Sequence, residues 1–317
     1  MTLSLESPGA VPLLLFRSTA RDESYGRLAL APLDAPERRS PVSVPGVPHE
    51  PGGRGTLSCD RVHFSAGSGL CLAADRGVIT TYKAIIFDAA LRPRHTIPLG
   101  GVPSRARVSP DGRYAAMTVF VSGHSYADGG FSTLTTLLDT ASGELIADLE
   151  AFDVLRDGQR ISSPDFNFWG VTFARESNRF YATLGTAGHT YLVEGDVAAR
   201  QVRILRDGVE CPSLSPDNRR IAFKRQVGSA GRLLWQPAVL DLATLAETPL
   251  PLETRNVDDQ MEWLDDGHLV YGLPADGEAP SAATNLWTLA VDGSAPPRLL
   301  LGQAWSPAVI QGRPLAP

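Results

Sequence analysis

Ser163-Pro164-Asp165-Phe166-Asn167-Phe168-Trp169-Gly170 is the segment richest in side chains that could do chemistry. Aromatic surface with a few polar groups among it suits the wall of a small-ligand pocket. The same aromatics could instead cap the gap between two packed sheets. Gly123-His124-Ser125-Tyr126-Ala127-Asp128-Gly129-Gly130 supplies one further candidate. His124 titrates near neutrality when unperturbed and could act as a general base, or it could sit in a mobile, solvated loop. Asp60, Arg105, Arg107, Glu210, Asp259, Gln260 and Glu262 form a third set, scattered along the chain. They belong together only if the fold brings their strands to one axis.

Other chemistries find little support. His49, His63, His95, His124, His189 and His268 include no pair with ligand spacing on one element. Asp258-Asp259 lacks the remaining ligands of a calcium loop. No metal and no cofactor is therefore expected. The net charge of −6 argues against a broad basic face for nucleic acid. No apolar run reaches the 18 residues of a membrane span, so none is expected. Residues 1–12 lack the charged and apolar regions of a signal peptide. As the sequence stands this implies a cytoplasmic protein, or a periplasmic or secreted one if a signal has been removed. Cys59, Cys71 and Cys211 are an odd number. Cys71 is expected opposite His63, with Cys59 near the other end of that hairpin, so all three are expected to be free thiols.

The elements that position these residues are legible in a repeat. Ser109-Pro110-Asp111-Gly112 recurs as Ser215-Pro216-Asp217-Asn218, and more weakly at Leu264-Asp265-Asp266-Gly267, Ala174–Asn178 and Ser65–Ser68. Pro presets φ, Asp bonds back to its own backbone, and Gly or Asn tolerates positive φ, so each copy is a tight turn between two strands. A third and a fourth strand follow each turn. The residues preceding the turns align as Phe64, Val108, Phe173, Leu214, Trp263 and Trp305. Their spacing fits four-stranded propeller blades, apart from one interval that carries an insertion of roughly 20 residues.

The expected fold is all-β: a six-bladed β-propeller with four antiparallel strands per blade, as one domain over 1–317. The blades are 12–45 plus 303–310, 57–99, 104–150, 168–206, 210–252 and 259–301. The ring closes when the strand at Trp305–Val309 joins the N-terminal blade against Leu13–Phe16.

The Ser-Pro-Asp-Gly turn, the following Ile221-Ala222-Phe223 and the strand ending Val239-Leu240-Asp241-Leu242 resemble the TolB-like six-bladed propellers, also described as WD40-like or PD40 repeats. The resemblance covers essentially the whole chain as blades. It implies a bacterial protein whose relatives include periplasmic binding components and propeller domains of serine peptidases. The Gly-x-Ser-x-Gly elbow of those peptidases does not occur here.

Two faces follow from the fold. The Ser-Pro-Asp-Gly turns lie on a short-turn face. The opposite face is expected to carry long loops at 121–131, 151–170, 224–232 and 273–285. Function tends to live on long loops held by a rigid scaffold. The expected function is a binding scaffold that holds a protein partner or a small ligand on that face and in the central funnel. The candidate ligand-binding residues are Asn167, Trp169, Asp165, His124, Arg105, Arg107, Glu210, Asp259 and Glu262. The alternative is a propeller enzyme, a hydrolase or a lyase/cyclase, with its site in the funnel.

Overall fold

Each repeat begins with a turn built as its residue types require. Asp111 Oδ1 accepts from the Ser109 hydroxyl and from the Arg113 N–H, and Ser109 Oγ accepts from the Tyr114 N–H. Gly112 takes φ +74°, which a β-carbon would strain. Ser215, Asp217, Arg219 and Arg220 repeat the arrangement, with Asn218 at φ +61° in the glycine's place.

The structure is a computed structural model that describes Leu5 and residues 11–42, 57–121, 132–229, 232–275 and 283–311. The hairpins assemble into six sheets set around an axis, antiparallel apart from one added pairing in the fourth. The second blade runs Arg61–Ser65, Ser68–Arg76, Thr80–Asp88 and Pro93–Leu99 from the axis outward; the third runs Val102–Val108, Tyr114–Val121, Ser132–Asp139 and Leu145–Asp148. The fourth begins with Asn167–Phe173, the fifth with Glu210–Leu214 and the sixth with Glu262–Asp265. The first blade takes its inner strand, Ala304–Ile310, from the far end of the chain, and that strand pairs with Leu13–Ser18.

Each of six apolar clusters fills one seam between neighbouring blades. The seam that closes the ring packs Val270, Leu286 and Leu301 of the sixth blade against Leu14, Phe16 and Ala29 of the first. Side chains also stitch neighbouring inner strands through their backbones. Ser306 Oγ accepts from the Val62 N–H, His63 Nδ1 from the Val108 N–H, and Thr172 Oγ1 from the Leu214 N–H. Closure at Trp305–Val309 holds, with Leu14 opposite Val309, Leu15 opposite Ala308 and Arg17 opposite Trp305.

Several expectations are corrected. Ser306-Pro307 is not a turn: the strand continues to Ile310, which faces Leu13, so Ile310 rather than Trp305 matches Phe64 and Val108. The insertion is not a loop over the axis. It forms a short 3-10 turn, Leu149–Ala151, and a hairpin of Asp153–Arg156 and Gln159–Ile161, which extends the outer edge of the fourth blade by pairing parallel with Gln201–Asp207. The expected loop at 224–232 is mostly strand, since Arg220–Ser229 pairs with Arg232–Asp241; of the one at 273–285 both ends are strand, with Leu273 facing Asn285, and residues 276–282 lie outside the described residues. Residues 122–131, with His124, lie outside the described residues.

Cys59 and Cys71 are joined in a disulfide, their Cα atoms 5.4 Å apart; Cys211 is free and buried. The expectation of three free thiols rested on a pairing one residue out of register: Val62, not His63, faces Cys71, and Cys59 reaches Cys71 from the crossover that precedes this strand. The bridge anchors the crossover between the first two blades, whose Leu57 and Cys59 bond Leu28 and Gly26. Closing so short a loop is worth about 3 kcal/mol. The doubly substituted Cys59→Ser, Cys71→Ser protein is expected to lose that much in denaturant unfolding. Thiol titration of the unfolded, unreduced chain should find one group, and three after reduction.

Candidate functional site

Residues one and three positions before the pre-turn residue of each inner strand share a face, because a strand alternates with period two. That face looks at the axis. His63, Arg107 and Glu262 occupy the nearer position, and Arg61, Arg105, Cys211 and Gln260 the farther one. Together with Asp259 they fill the channel in two layers. In the layer nearer the long-loop face, Asp259 sits between Arg61, at 2.9 Å, and Arg105, at 3.3 Å. Burial alone would raise the Asp259 carboxyl, but the two guanidinium groups outweigh it and hold it below the usual range. Arg61 also stacks over the Trp305 ring.

In the second layer Arg107 pairs with Glu262, and His63 Nε2 lies 3.7 Å from the same carboxylate. The Val108 N–H donates to His63 Nδ1, which leaves the ring proton on Nε2, toward Glu262. Burial and the adjacent Arg107 push the His63 pKa down, so the ring is neutral. Burial opposes ionisation of Glu262 too, but Arg107 and His63 prevail and hold it at about 2. The space left within these layers is ≈ 30 Å³, so the layers plug the channel.

A cavity of ≈ 460 Å³ lies on the short-turn side of this plug. Its floor is His63, Arg107 and Glu262. Phe64, Phe173, Leu214, Trp263, Val309 and Ile310 supply apolar walls, and the turns at Ser65, Pro110, Arg175, Pro216 and Asn218 form the rim. Trp263 is fixed there by donating its indole N–H to the Ser213 carbonyl, at 2.8 Å.

No protein-family model matches the sequence, and no curated protein matches it. Solved structures do match the fold. TolB from Acinetobacter baumannii superposes with a TM-score of 0.57 at 15% identity, over 96% of this chain and 67% of that one. The fold is that of a TolB-like six-bladed β-propeller. A puromycin-hydrolysing peptidase of Mycobacterium tuberculosis matches with a TM-score of 0.55 at 14% identity; the alignment covers 93% of this chain but 46% of the peptidase. A chain of a nidogen–laminin complex matches at 0.60 with 10% identity, over 95% and 99% of the two chains. At such identities the likeness is one of fold.

The propeller brings part of the expected site together. Arg105, Arg107, Asp259 and Glu262 meet in the plug. Glu210 lies beside Lys224, at 3.6 Å, and Lys224 also pairs with Asp258. Asn167, Asp165 and Trp169 stand elsewhere. Asn167 Oδ1 accepts from the Thr133 N–H at 2.9 Å, which ties the fourth blade to the third. Asp165 takes the Thr186 hydroxyl and the Ala187 N–H, both at 2.6 Å, and so caps a hairpin of its own blade. Trp169 is buried with its ring over Gly185, where a β-carbon would lie 2.8 Å from it.

The same seam holds an acid that the sequence reading passed over. Glu150 accepts at 3.2 Å from the Thr135 N–H of the third blade and from the Phe168 N–H of the fourth. Burial dominates, and its pKa rises to about 8 from 4.5. A raised carboxyl pKa means that its contribution to stability is complete below about 4.5 and is lost as pH rises through about 8. Melting temperatures of the native protein should fall across that window, and Glu150→Gln should flatten the decline. An unchanged slope would remove Glu150 as its source.

Arg61, His63 and Lys224 were also missed. The signal for the first two was in the repeat: Arg61 stands three positions before Phe64 as Arg105 stands before Val108, and His63 matches Arg107.

Proposed function

We propose that this chain is a binding propeller that holds a small ligand, or one inserted side chain of a protein partner, in the cavity on its short-turn face. The observation that carries this reading is a concave cavity of ≈ 460 Å³ whose apolar walls stand between a charged floor and a polar rim, a shape that small molecules occupy. Those floor groups are committed to one another, which supports holding a ligand over transforming it. His63 spends Nδ1 on a backbone N–H, and Arg107 and Glu262 neutralise each other. The fitting ligand has an apolar body and a polar head that reaches Arg107 or Glu262. The Cys59–Cys71 bridge supports work in an oxidising compartment, periplasmic or extracellular, in place of the cytoplasm.

The long-loop face supports a second reading, as a protein-contact surface. Val78, Ile79, Val102, Phe120 and Leu233 all expose apolar surface at that end of their strands. The two readings separate in a fragment screen by NMR. Leu214→Trp should fill the cavity and abolish fragment binding while the melting temperature stays near that of the native protein. Fragment binding that survives this substitution would remove the cavity from the account.

A further inference from the structure

The ion pair at the cavity floor leaves two of its own polar atoms unused. Arg107 donates to Glu262 Oε2 through Nη1, and His63 Nε2 lies 3.1 Å from that same nitrogen. Among the described residues no hydrogen bond reaches Arg107 Nη2 or Glu262 Oε1. Neither atom is sealed in: within this pair, the atom that is both inaccessible and unpartnered is Arg107 Nε. The Arg107 and Glu262 side chains keep 9% and 16% of their surface exposed, and both line the cavity. The void on their other side, ≈ 30 Å³, has room for no more than a water, so a larger molecule can meet them only from the cavity. One guanidinium nitrogen and one carboxylate oxygen are thus open to a ligand, on a floor where Arg107 and Glu262 cancel in charge and His63 is neutral.

Building on the cavity as the binding site, we propose that its ligand is a small molecule with a neutral amide head, a carboxamide or a lactam, on an apolar body. The amide carbonyl accepts from Arg107 Nη2 and the amide N–H donates to Glu262 Oε1. Charge selects this head. A carboxylate would pair with Arg107 but lie against Glu262, and an ammonium would do the reverse; either sets like charges together in a half-buried site. A zwitterion would surrender the hydration of two charges for one donor and one acceptor. A lone hydroxyl serves one of the two protein atoms and leaves the other dry and unpaired. The walls of Phe64, Phe173, Leu214 and Trp263 suit a ring as the body.

Benzamide, benzoate, benzylammonium and benzyl alcohol share one ring and differ in the head, so titrating each into the native protein at neutral pH, followed by NMR, isolates the head's effect. Benzamide should bind more tightly than the other three by about tenfold, the cost of leaving one buried polar partner unmade. Leu214→Trp should abolish that binding, which assigns it to the cavity. Glu262→Gln leaves Arg107 without its neutralising partner and should turn the preference toward benzoate, a reversal that a loss of packing does not produce. The ranking on the native protein stands as a readout even if this variant fails to fold. Benzyl alcohol or either charged compound binding in the cavity as tightly as benzamide would overturn the amide head and leave the cavity as a binding site. No binding by any of the four would overturn both.

Discussion

Removing residues 303–317 is expected to abolish cooperative unfolding of the whole ring. The deletion takes away Ala304–Ile310, the inner strand of the first blade, whose Ala304, Ser306, Ala308 and Ile310 are buried. It exposes the edge of Leu13–Ser18 and takes Ile310 and Ala308 from the seam with the second blade. It also cuts the bonds between Ser306 and Val62. An unpaired inner edge is a template for aggregation, so the truncated chain should be largely insoluble. Ala308→Asp is the subtler form of the experiment. It buries an unpaired carboxylate in the same strand, and the expected loss is about 3–5 kcal/mol. Circular dichroism melts of both variants check this, and a truncated chain that melts like the native one would mean that the ring does not depend on its closing strand.

The second large effect is expected at Glu262. Glu262→Ala leaves Arg107 buried beside a neutral His63, and breaking a buried pair from one side costs about 3–5 kcal/mol. The native protein should show the same interaction as acid sensitivity. The folded carboxyl titrates at about 2 and the unfolded one at 4.5. A depressed pKa contributes stability that is complete above the unfolded value and is lost as pH falls through 4.5 toward 2. Asp259, lowered by Arg61 and Arg105, acts in the same direction. Urea unfolding measured at several pH values should therefore steepen in that window for the native chain and flatten for Glu262→Gln. A native protein whose stability is indifferent to pH there would mean that the plug contributes little.

The repeat made the architecture legible because its turn chemistry is local. Ser109, Asp111 and Gly112 determine a hairpin through contacts spanning five residues, and such signals survive in sequence. The charged plug was half legible. Arg105, Arg107, Asp259 and Glu262 could be placed on inner strands, but their pairing depends on blades far apart in sequence that meet across the axis. The cavity was not legible, since its lining is gathered a few residues at a time from six blades and no segment reads as a pocket. The aromatic segment was ambiguous for a physical reason: Phe168 and Trp169 have the composition of a ligand wall, and seams between blades, where both are buried, want the same side chains. Cys59 misled because it precedes the strand Arg61–Ser65 and reaches Cys71 from the crossover, a placement that the strand pattern does not encode. The Ser306-Pro307 pair imitates the repeat yet sits within a strand, because Ser306 takes φ +52° and turns its hydroxyl onto Val62.

The most direct test of the central claim is a crystal structure soaked with the strongest binder from the fragment screen. The account predicts density on the short-turn side, between Trp263, Phe173 and Leu214, with a polar group at Arg107 or Glu262 and the ion pairs of the plug intact. Density on the long-loop side, or within the channel with Arg61 and Arg105 parted from Asp259, would contradict it.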